Sequence, residues 1–194
     1  MRISRAVTAI GVSSLASVFL IISPTPSGAS PGKSVRIFDD CDVSSFNAAV
    51  PAPPNGPPTC VGDGETTFPD FIAEVQRTRQ AEEWRFKPDM LKVKSGRPVI
   101  VENRGGETHT FTLVKTFGGG FIAPLNALTG NTTLAPECAK ENADGSLSPT
   151  GPGQRSLCVS AGSKTAFQTA GLLPGTYQFQ CCIHPWMRII LTVK

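Results

Sequence analysis

The most constraining stretch of the 194-residue chain lies close to its end: Phe179-Gln180-Cys181-Cys182-Ile183-His184-Pro185-Trp186-Met187. A thiol, an imidazole and a thioether stand at i, i+3 and i+6. Tyr177-Gln178-Phe179-Gln180 alternates as a half-buried strand does, which sets Cys181 at a strand end. His184-Pro185 then forces an extended or turning backbone, because the residue before proline is pushed out of the helical region. A turn lets Cys181, His184 and Met187 converge on one point, which a straight strand does not allow. The chain has only two histidines, and the other is His109, in Asn103-Arg104-Gly105-Gly106-Glu107-Thr108-His109.

Soft sulfur donors combined with imidazole suit copper, and a trigonal His₂Cys set with a weak axial Met is the blue-copper pattern. The competing reading is a buried free Cys, a surface His and a core Met that meet by chance. At these residues the chain resembles the cupredoxins, whose signature runs Tyr-x-aromatic-x-Cys-x-x-His-Pro-x-Met. The short Cys-x-x-His spacing is most similar to amicyanin and plastocyanin, and Asn103, six residues before His109, also matches the pattern. The resemblance covers about 84–109 and 164–194.

The resemblance implies a Greek-key β-sandwich or barrel holding one type 1 copper ion. His109, Cys181 and His184 would form the plane and Met187 the weak axial ligand. Asn103 would tie the ligand loops by hydrogen bonds, and Pro185 would restrict the ligand turn. His184, Pro185 and Trp186 would form a docking patch for redox protein partners, with the His184 edge as the point of electron transfer. One departure is Ile189, where cupredoxins usually carry Gly two residues after the Met.

The address is read from the other end. Arg2 and Arg5, the apolar run 6–22 and small residues at Ser27 and Ala29 read as a secretory signal over 1–29. An uncleaved anchor is the alternative. No other run is long enough to span a membrane. The chain is expected to be exported to a periplasmic or extracellular space, as a monomer with no membrane span after signal cleavage. Loss of 1–29 would lower the net charge from +3 to +1, and no basic patch with interleaved aromatics points to nucleic acid.

Export permits disulfides among the six cysteines. With Cys181 as a ligand, five remain. Cys41/Cys60 and Cys138/Cys158 each flank a Pro/Gly-rich loop and are paired on that ground, each closure worth about 3 kcal/mol. Cys182 points to the opposite strand face from Cys181 and is expected to be a small buried hydrophobe, or else a second metal ligand.

The expected architecture is all-β, about seven strands, with one short helix and a long disulfide-stapled loop. Residues 30–80 hold a strand at 34–39, a Cys-stapled loop over 41–60 and a helix over 71–81 with Asp70 as its cap. Residues 81–194 form the copper-binding domain, with a loop insertion over 117–163 whose first part, 117–127, shapes the metal rim. Trp84, Phe86 and Met90 are expected in the core. Asn131-Thr132-Thr133 is a glycosylation sequon.

Three other chemistries compete. Copper storage or delivery uses the same ligands without redox cycling. A multicopper oxidase or nitrite reductase needs further His clusters that two histidines do not supply, so the chain is expected to carry electrons and not to catalyse. Zinc accepts Cys and His, but Met is a poor zinc ligand.

Overall fold

Alternation of apolar and polar residues builds two facing sheets. The computed structural model describes residues 33–151, 153 and 155–194; the segment read as a secretory signal lies outside them. The first sheet has four strands: β1 (Lys33–Phe38), β2 (Arg85–Lys87), β4 (Val99–Asn103) and β9 (Lys164–Phe167), in the order β2-β1-β4-β9. The second has five: β3 (Met90–Val93), β5 (His109–Val114), β8 (Ser156–Val159), β10 (Gly175–Gln180) and β11 (Arg188–Val193), in the order β3-β11-β10-β5-β8. β1 runs parallel to β4 and β11 parallel to β3; the other pairings are antiparallel.

The core lies between the sheets. Val99 and Val101 of β4, Phe111 of β5, Phe179 of β10 and Leu191 of β11 are fully buried. Phe111 stacks on Phe179 at 4.4 Å between centroids, and Phe167 meets Phe179 edge-on at 4.8 Å. Among the described residues the sandwich therefore has nine strands where about seven were expected. The sheets do not close into a barrel. Met90, expected in the core, is 69% exposed, because it opens β3 on the sheet's edge.

Two excursions leave the sandwich. The first, 39–84, carries two helices. α1 (Val43–Ala49) sits inside the stretch expected to be plain loop; the Asp42 carboxylate caps it by accepting from the Ser45 N–H. α2 (Phe68–Thr78) starts earlier than expected. Its cap is Thr67, not Asp70: the Thr67 hydroxyl accepts from the Asp70 N–H, and Pro69 occupies the first turn. α2 ends at Arg79, in the left-handed region at φ 68°. Phe46, Phe71, Val75 and Trp84 join the main core, and the Cys41–Cys60 disulfide forms as expected.

The second excursion is the insertion after β5. It is not all loop: it holds α3 (Ala123–Thr129) and a hairpin of β6 (Ala139–Glu141) and β7 (Leu147–Pro149), and β8 rejoins the main sheet. Its own small cluster is Val114, Ala135, Cys138 and Cys182, with Phe117 and Phe121 against it. Here the expected pairing fails. Cys138 bonds to Cys182, and Cys158 is free and exposed. Cys181 turns into the main core, so its neighbour Cys182 faces the insertion, 5.1 Å from Cys138 between Cα atoms. Cys158 stands opposite Thr110 across the β5–β8 ladder. Cys182 is thus neither a spare hydrophobe nor a metal ligand.

A candidate metal centre

Three donors meet where the strands end. The His109 Nδ1 lies 3.8 Å from Cys181 Sγ, and one donor atom from each of His109, Cys181 and His184 lies within 4.8 Å of the other two. All three residues are buried. β5 begins at His109, and β10 ends one residue before Cys181. The turn from 181 to 187 is closed by two backbone bonds of 3.0 Å, Cys181 N–H to the Met187 carbonyl and Met187 N–H to the His184 carbonyl. Met187 is buried on the same turn. Thr110 fastens the turn to β5: its N–H points at Cys181 Sγ (3.4 Å), and its hydroxyl accepts from the Cys182 N–H (2.7 Å).

The donor set fits a soft metal. Burial alone would raise the Cys181 thiol, but the imidazoles of His109 and His184 outweigh it and hold the thiol well below its usual 9.0. Thiolate is the ligating form. His184 Nδ1 is buried with no hydrogen-bond partner, a polar atom that costs free energy unless something occupies it. An ion bound by that nitrogen, His109 Nδ1 and the Cys181 sulfur would satisfy it.

The far side of each imidazole faces a carboxylate. His109 Nε2 is 2.8 Å from Asp39 Oδ2, and both side chains are fully buried. Burial would lower His109, but its bonds to Asp39 and Cys181 outweigh this and raise it to about 10 in the metal-free protein. Asp39 moves the other way: burial would raise it, yet His109 and the N–H groups of Gly106 and Glu107 hold it below 3.8. His184 Nε2 lies 3.6 Å from Glu107 Oε2, which also accepts from the Trp84 indole N–H. Asp39, Glu107 and His109 lie close enough to suggest a second cation site. Asp39 is already committed, with Oδ1 accepting from Gly106 and Oδ2 from Glu107 and His109.

This network depends on close backbone approach. A Cβ on Gly105 would land on the Asp39 carboxylate, and one on Gly106 would strike Gly62 and the Cys41 sulfur. Asn103 steadies the same loop. Its amide donates to the carbonyls of Glu107 (2.7 Å) and Val159 (2.9 Å), and its Oδ1 accepts from Gly105 N–H. These bonds join the Glu107 loop to the end of β8. The tie to the 181–187 turn comes from Thr110 instead.

The His184 edge is not open. The ring is 3% exposed and packs among Phe71, Trp84 and Trp186, at 6.1, 6.5 and 5.4 Å between centroids. The edge expected as the point of electron transfer is therefore covered, by Phe71 of α2 together with Trp84 and Trp186. Trp186 remains half-buried, its indole N–H donating to the Ala81 carbonyl. Pro185 is buried, and its carbonyl accepts from Arg188 Nε. Residues 117–121 pack on the other flank, with Gly118 bonded to Gln180 and Phe121 N–H to the Cys182 carbonyl. They meet the Cys182 side of the strand end, not the Cys181 thiol.

Asp39, Glu107, Thr110, Phe71 and Trp84 are the site residues that the sequence reading missed. Glu107 carried one signal: it stands two residues before His109, where a strand returns to the same face.

No protein-family model matches the sequence, and no curated protein matches it. Among solved structures, the chain is similar to a purple cupredoxin from Nitrosopumilus maritimus at 15% identity, over 59% of this chain and 86% of that one, with a TM-score of 0.35. It is similar to the reduced Cu(I) form of an amicyanin mutant at 19% identity, over 59% and 77%, TM-score 0.34. It is also similar to plastocyanin from Dryopteris crassirhizoma at 21% identity, over 57% and 89%, TM-score 0.33. Likenesses this distant carry no argument about chemistry, which rests on the residues above.

Proposed function

We propose that this chain is an exported type 1 copper protein that carries single electrons between redox partners. One observation carries the reading. Two imidazoles with Nδ1 turned inward, one of them an orphaned buried nitrogen, meet a thiol held toward thiolate in a pocket closed to water. His109, Cys181 and His184 would hold the ion, and the Met187 thioether, buried on the same turn, would supply a further soft donor. Bound copper supplies a one-electron couple between Cu(II) and Cu(I). The chain's part is to keep the three donors from rearranging: strands fix His109 and Cys181, and packed aromatics fix His184. A trigonal His₂Cys set suits both oxidation states.

Burial of His184 speaks against storage or delivery, since handing over an ion needs ligand exchange at an open edge. Electron transfer needs none. A redox partner would dock over Trp186, the half-buried ring in contact with His184. Disulfides at Cys41–Cys60 and Cys138–Cys182 suit an oxidising compartment.

The test is the visible spectrum of protein loaded with Cu(II). An intense thiolate-to-copper band is expected, and it disappears in Cys181→Ser. A colourless wild-type protein holding one equivalent of Cu(II) overturns the reading.

A further inference from the structure

A buried carboxylate stands behind each imidazole of the centre, hydrogen-bonded to His109 and within ion-pair range of His184, and neither lies on the ligand turn. Asp39 directly follows β1, far in sequence from Cys181. Its side chain is fully buried and reaches His109 Nε2 at 2.8 Å. Glu107 comes from the loop before β5, is 6% exposed, and faces His184 Nε2 at 3.6 Å. Burying two carboxylates is costly unless each is bonded. Here both are held in place: Asp39 by the N–H groups of Gly106 and Glu107, Glu107 by the Trp84 indole.

We propose that Asp39 and Glu107 are positioning residues that aim both Nδ1 atoms at the metal and bias the centre toward its higher oxidation state. This rests on the copper reading above. A carboxylate that accepts the Nε2 proton fixes the tautomer, leaves Nδ1 bare for ligation and raises the basicity of the ring. Two negative charges within one ring's width of the donors also favour the more positive ion, and burial keeps that field from being screened. Both effects stabilise Cu(II) over Cu(I). The two contacts are unequal. The short, fully enclosed Asp39 bond should count for more than the longer Glu107 contact, whose carboxylate is shared with Trp84.

The experiment is a redox titration of the full copper-loaded protein by its visible band, with mediators supplying the electrons. Asp39→Asn keeps the shape and removes the charge. It should shift the Cu(II)/Cu(I) balance about tenfold toward Cu(I), a rise of about 59 mV for one electron. Glu107→Gln should shift it the same way by about threefold. Trp84→Phe removes the donor that competes for Glu107 and should move the balance in the opposite direction, by about twofold. In the diamagnetic Cu(I) protein, the His109 Nε2 proton should resonate far downfield and move upfield in Asp39→Asn.

A merely structural role would not give opposite signs for Glu107→Gln and Trp84→Phe. Variants that keep the blue band with midpoints unchanged from wild type overturn the proposal and leave the copper reading standing. If Asp39→Asn does not fold, the Glu107→Gln and Trp84→Phe pair decides. A wild-type protein with no thiolate-to-copper band overturns both.

Discussion

Both excursions from the sandwich are pinned by one disulfide and both reach the ligand turn, yet they do different things there. The first, 39–84, brings Phe46, Phe71, Val75 and Trp84 into the main core and lies over His184. The insertion keeps a small cluster of its own. Polar contacts also fasten it to β10: the Gln180 side chain bonds to the Gly118 backbone, and the Phe117 N–H donates to Gln178. The difference follows from side chains. Apolar residues at helical spacing give α2 a face to bury, Phe71 and Val75 on one side. The insertion gives less: α3 sends Leu125 into the same core, with Ile122 and Leu128 against it. The excursion that contributes more of the core is the one that closes the site.

The sharpest way to break this contrast is to remove one aromatic from each side. Trp84→Ala should destabilise by about 3–5 kcal/mol, the usual cost of emptying a fully buried large side chain. Phe121→Ala, half-buried in the insertion, should cost less than about half of that. Urea denaturation followed by fluorescence compares them, and equal costs would erase the distinction.

The disulfides should rank the other way. Opening Cys138–Cys182 by a double Ala substitution releases a loop of separation 44, against 19 for Cys41–Cys60. Chain entropy puts the losses at about 4 and about 3 kcal/mol. Thermal unfolding of the two double variants checks the order. A larger loss at Cys41–Cys60 would mean that this bond also holds packing that the chain-entropy count leaves out.

The smallest effect is the share of charge that each side lends the site. In the metal-free protein, His109 titrates at about 10 when folded against 6.5 ordinarily, so its stabilisation is full below 6.5 and fades as pH rises toward 10. Cys181, held below 9.0, works in reverse: its stabilisation is full above 9.0 and fades as pH falls. Below 9 the two slopes oppose each other, which flattens the profile. Above 9 only the His109 slope remains, and stability falls by up to about 1.4 kcal/mol per pH unit. Asp39→Asn, on the first excursion, should lower the His109 pKa, so that the fall ends at lower pH and becomes smaller, whereas Glu137→Gln, in the insertion, should leave it unchanged. Denaturation midpoints across pH 6 to 10.5 test both statements.

The donors were legible because they obey local rules. A strand end, a proline and fixed spacings put Cys181, His184 and Met187 on one turn, and His109 was the one imidazole left. The alternation of β4, β5 and β10 was equally plain. What sequence hid was contact between distant segments. Cys138 and Cys158 bracket a loop, but the strand direction that turns Cys181 inward hands Cys182 to the insertion. Asp39 and Glu107 are single acids with no motif, and only folding sets them behind the imidazoles. The burial of His184 was hidden for the same reason: nothing in α2's own pattern says which surface its apolar face will meet.

Gly105 and Gly106 lend the centre no atom, yet they sit between Asp39, the Cys41–Cys60 bridge and the loop that carries Glu107. As copies of this chain diverge, a single-base change to Ala at either position adds one methyl group and forces that junction apart. Both imidazoles would feel it at once, through different acids. Heritable drift in such a lineage should therefore be filtered as strictly at this side-chain-free corner as at the residues that bind the ion.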